Sequence, residues 1–129
     1  MVSDAGQSEG KRRSFAHDAF VALEGDSDSN ALGGAITAEL CGQWDHPGPC
    51  PLAPHHTRAE PTAGGVRLRI LFAAAPEDEP EVRARIKTAL GRSSIEGPDG
   101  RWSRWVLQED APSQVYDDEA EHAARLSRS

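Results

Sequence analysis

Aromatic residues are scarce in this sequence: three tryptophans, three phenylalanines and one tyrosine among 129 residues. A core with so few rings rests on aliphatic side chains, and the length suits one domain of modest size. Long apolar runs are missing as well. The longest, which starts at Ile70 and ends at the alanines before Pro76, is strand-sized and far short of the roughly 18–20 residues that cross a bilayer. No membrane partner is expected. The N-terminal stretch lacks the apolar segment of a secretory signal, so a cytoplasmic location is the expectation. Basic charge is in short supply: 14 Lys and Arg stand against 21 Asp and Glu, a formal net charge of −7. Binding phosphate backbones needs a basic face. The one dense basic run, Lys11-Arg12-Arg13, lies in a terminal stretch without apolar periodicity, and nucleic acid is not expected as a partner.

Only two cysteines are present, Cys41 and Cys50, and they share one proline-rich stretch with three of the five histidines, His46, His55 and His56. In a reducing compartment two thiols in one loop are more often metal ligands than a disulfide. The order Cys41, His46, Cys50, His55 supplies two thiolates and two imidazoles, a common set for a structural, tetrahedral zinc ion. His55 and His56 compete for the fourth position, because adjacent residues do not readily reach one tetrahedral centre. Pro47, Gly48, Pro49, Pro51 and Pro54 exclude a helix and restrict the loop before the metal binds. The ligand density is high, but the close Cys pairs of common zinc knuckles are absent. A Cys41–Cys50 disulfide is the rival; it would stabilise by about 2.5–3 kcal/mol and leave the histidines unexplained. His17 reaches the centre only if its strand lies beside Cys41. His122, in an acidic terminal stretch, reads as an exposed histidine.

Enzyme signatures are absent. There is no His-Glu-x-x-His helix, no zinc-deaminase pattern after Pro49-Cys50, no phosphate-binding glycine loop and no Gly-x-Ser-x-Gly elbow. Asp26, Asp28 and Asn30 alternate like the start of a calcium loop, but Leu32 and Thr37 stand where its Gly and Glu belong, so this stretch reads as a solvated loop. The expectation is a zinc-binding domain with a structural site that acts as a protein-binding or adaptor module. The alternatives are a metal- or thiol-dependent enzyme and a redox or metal sensor that joins Cys41 to Cys50.

Residues 15–23 fit a strand or a helix. Residues 34–44 and 66–72 alternate as half-buried strands flanking the Cys/His loop. The stretch 76–91 reads as a helix, with Pro80 in its first turn, acids early, and Val82, Ile86 and Leu90 on one face. Residues 93–108 read as a hairpin about Pro98-Asp99-Gly100, with Trp105 in the core. Strand alternation puts Arg67, Arg69, Trp102 and Arg104, with Trp44 nearby, on an exposed face suited to a protein partner. The fold expected is α+β: a small antiparallel sheet of three to five strands, one main helix packed on one face, and the metal loop 41–57 between two strands. A flexible tail over 1–13 and an acidic tail over 109–129, with at most a marginal helix, would flank a domain over 14–108.

Overall fold

The computed structural model describes residues 12–41 and 53–128, the Cys41 side chain excepted. Among the described residues there are five strands: β1 (Arg13–Leu23), β2 (His55–Thr62), β3 (Gly65–Ala74), β4 (Ser94–Glu96) and β5 (Trp102–Ser113). Three α-helices accompany them: α1 (Asn30–Cys41), α2 (Glu79–Gly91) and α3 (Ala120–Ser127). The strands form one antiparallel sheet in the order β2-β3-β1-β5-β4. The α+β class and the antiparallel sheet expected from the sequence are both present.

The sheet's inner face carries the main core. Antiparallel partners share a face, and the register aligns Phe15 with Phe72, His17 with Ile70, Ala19 with Leu68 and Val21 with Val66. This face is covered by two helices. Leu32, Ala35, Ile36 and Leu40 of α1 and Val82, Ile86, Ala89 and Leu90 of α2 pack in one cluster with Leu68, Ile70, Phe72 and Trp105. Trp105 is fully buried, and its indole N–H donates to the Leu90 carbonyl at 2.7 Å. That bond satisfies a carbonyl in the last turn of α2, which has no partner within the helix. The residue in the left-handed region after α2 is Ser93, with φ 68°, rather than Gly91.

Three elements differ from the sequence reading. Residues 34–41 lie in α1, not in a strand. Ile36, Ala38 and Leu40 do alternate, but Leu32, Ala35, Ile36 and Leu40 also recur at helical spacing, and burial against α2 decides between the two periods. The Asp28 carboxylate accepts the Asn30 N–H at 2.9 Å and opens the helix. Residues 55–62 form β2, an edge strand paired along its length with β3. Arg58, Glu60 and Pro61 on it suit an edge, where charge and proline block further pairing. Finally, β5 runs five residues beyond 108, and α3 docks on the outer face. Ala123 is buried there, and Ala16, Leu71 and Ala73 are the buried apolar residues of that face of the sheet. No helix among the described residues is long and apolar enough to cross a membrane.

Candidate metal centre

The sheet separates the two histidines that the sequence set in competition. His55 and His56 are the first residues of β2, and consecutive strand residues point to opposite faces. His55 pairs with Phe72 on the inner, helix-covered face, and His56 pairs with Leu71 on the outer one. A single metal centre therefore takes one of them.

His55 is held in a defined tautomer. Its Nδ1 lies 3.0 Å from the Ala53 carbonyl, which only accepts, so Nδ1 carries the proton. Nε2 is then bare and accepts from the Thr37 hydroxyl at 3.0 Å. Burial pushes the His55 pKa below its ordinary value; the Ala53 bond opposes this, and the charge of His56 adds to it. The result is a neutral imidazole with its lone pair aimed at α1. Thr37 lies one helical turn before Cys41, the last residue of α1. A ring pinned through Nδ1–H to a backbone carbonyl is how ligating histidines are commonly oriented. His46 and Cys50 lie outside the described residues, as does Trp44. Among the described residues no set of three His, Cys, Asp or Glu side chains is placed to hold a metal ion.

His56 meets a different partner. Its ring centroid is 4.7 Å from that of His122, with the planes inclined at 56°. His122 is thus a half-buried contact of α3 rather than a free surface histidine. The pair borders a pocket of about 170 Å³ that Arg58, Arg69, Leu71, Asp118 and Glu119 also line. The His56 pKa is lowered by burial first, then by the charges of His122 and Arg58.

Two buried polar nodes were not legible as such in the sequence. On the inner face His17, 3% exposed, bonds through Nε2 to the Asp110 carboxylate at 2.8 Å. Its Nδ1 lies 3.0 Å from Arg83 Nη1. A guanidinium only donates, so Nδ1 is the acceptor and Nε2–H donates to Asp110. Both nitrogens are committed, which removes His17 from the set of free metal ligands. On the outer face Arg69 is 7% exposed and is not part of an open docking face, contrary to the sequence reading. It makes a bidentate bond to Glu119 (3.0 and 2.7 Å) and bonds to Asp18, Ser113 Oγ and the Gln114 carbonyl. Its guanidinium stacks 4.2 Å from the Tyr116 ring centroid. The pairing holds the Glu119 carboxyl down at about 2, through the Arg69 bonds first. The signal for both nodes was a charged or polar residue inside an alternating strand.

Arg67, Trp102 and Arg104 are exposed, Trp102 at 55%. Trp102 also borders a cleft of about 630 Å³ between the β1–α1 loop and the β4–β5 hairpin. Asp26, Asp28, Asp99, Ile95 and Ala31 are among the residues that line it. A cleft of this volume is of ligand-binding size. No protein-family model matches the chain, and neither the curated proteins nor the solved structures contain a match.

Proposed function

We propose that the chain is a small zinc-stabilised domain whose metal, held by Cys41, His46, Cys50 and His55, ties the end of α1 to the start of β2. The observation that carries this reading is the His55 imidazole: neutral, fixed by Ala53, and presenting Nε2 toward the helix that ends in Cys41. Thr37 would yield that lone pair to the ion. Two thiolates balance the charge of the dication, and four protein ligands close the site. Such a centre is structural, and its binding free energy becomes folding free energy. On this reading no open position remains for water chemistry.

The domain would act as a protein-binding or adaptor module in the cytoplasm, through the surface that carries Trp102, Val106, Arg67 and Arg104. The exposed Trp102 and Val106 support this role, because aromatic and apolar side chains are enriched at the centre of protein interfaces. A metal- or thiol-dependent enzyme requires an exchangeable position on the metal or an activated thiol. A redox sensor requires zinc release when Cys41 and Cys50 are oxidised. Zinc content after mild peroxide separates the structural module from the sensor. Retained zinc with unmodified thiols fits the structural module, and stoichiometric release with a new disulfide fits the sensor.

A further inference from the structure

His56 and His122 bring two imidazoles from separate elements, β2 and α3, to one pocket on the outer face. Neither ring has a hydrogen-bond partner among the described residues. This contrasts with His17 and His55, whose nitrogens are all engaged. We propose that His56 and His122 form a second metal site, separate from the Cys/His loop, that takes a borderline divalent transition cation and clamps α3 to the edge of the sheet.

The spacing fits two cis ligands. A metal–nitrogen bond of about 2.05 Å puts each ring centroid about 3.2 Å from the ion, so two rings would stand about 4.5 Å apart at a right angle and about 5.2 Å at the tetrahedral angle. The observed 4.7 Å falls between these values. The two rings meet at the junction of β2 and α3, so one ion would bridge elements far apart in sequence. Arg69 and Glu119, which also line the pocket, neutralise one another. Asp118 and Arg58 add one charge of each sign. The local field is near neutral, and affinity rests on the imidazoles, with water filling the remaining positions. Two nitrogen ligands favour copper, nickel and zinc over magnesium or calcium.

The clamp has a structural consequence. Ala123 is the one residue of α3 buried on the sheet, and Glu119 on Arg69 and Ser14 on the Ala123 carbonyl and on Ser127 add to the attachment. A ligand that binds only the docked helix stabilises docking by mass action. The full-length protein, loaded with one equivalent of zinc and dialysed free of excess, is titrated with nickel alone and followed by NMR of the histidine side chains and by amide exchange. The expected result is paramagnetic broadening of His56 and His122 before the other histidines, with slower exchange over Ala120–Ser127. His122→Gln and, independently from the strand side, His56→Gln each weaken nickel binding by more than the about 10–100-fold that follows loss of an outer-shell partner. Sharp His56 and His122 signals throughout, or broadening and nickel affinity that survive both glutamine variants, would each overturn the proposal.

Discussion

Replacing Glu119 with Gln removes the charge that holds α3 and its approach to the sheet. The Glu119 side chain is 12% exposed and accepts from Arg69 Nε and Nη2 at 3.0 and 2.7 Å and from the Tyr116 N–H at 3.0 Å. Its carboxyl is held at about 2 against an ordinary 4.5. At about 1.36 kcal/mol per pH unit this sets a ceiling of about 3.4 kcal/mol. Arg69 keeps Asp18, Ser113 and Gln114 in the variant, so its cation is not stranded, and Asp18 is open enough to be screened. The expected loss is therefore about 1–2 kcal/mol at pH 7, or about 3–8 °C in melting temperature. The folded pKa is depressed, so this contribution is complete above pH 4.5 and is lost as pH falls through about 2. Urea unfolding at stepped pH reads it: wild type and Glu119→Gln differ at pH 7 and converge between pH 4.5 and 2. A variant within about 0.3 kcal/mol of wild type at pH 7, with an unchanged pH profile, would refute the reasoning.

Other substitutions test separate parts of the structure. His55→Ala lowers the zinc retained after dialysis with a mild chelator, which strips a two-imidazole site, and His56→Ala does not, because the two rings lie on opposite faces of β2; metal analysis of the purified variants reads the difference. His17→Ala strips Asp110 of its buried partner while Arg83 keeps Glu79 and the Ala16 carbonyl, and is expected to destabilise by about 2–4 kcal/mol in chemical unfolding. Trp105→Phe keeps an aromatic ring but leaves the buried Leu90 carbonyl without its donor, for an expected loss of about 1–3 kcal/mol by the same measurement.

The sequence exposed those elements whose periodicity had one reading. Val66, Leu68, Ile70 and Phe72 alternate without a rival pattern, and the strand followed. Val82, Ile86 and Leu90 recur along α2, and the Pro98-Asp99-Gly100 turn joins β4 to β5 with Gly100 at φ 81°. Trp105 lies in the core as expected. Residues 34–40 satisfied two periods at once, and packing against α2, a contact some fifty residues away in sequence, selected the helix. β2 was hidden because an edge strand does not need an apolar face of its own; Arg58 and Glu60 stand where a central strand would carry apolar groups. The acidic C-terminal stretch looked unfoldable because its partners were invisible. Asp110 finds His17, and Glu119 finds Arg69, across sequence separations of 93 and 50 residues. The placement of the candidate ligands follows from the same gap. Once β2 is known to be a strand, adjacency alone sends His55 and His56 to opposite faces.

The most direct test of the zinc-stabilised domain is the intact mass of the natively purified protein, measured before and after denaturation. One zinc ion per chain is expected in the native spectrum, absent after denaturation and lost in Cys50→Ser. A native mass equal to the bare chain, with no zinc taken up under reducing conditions, would contradict it.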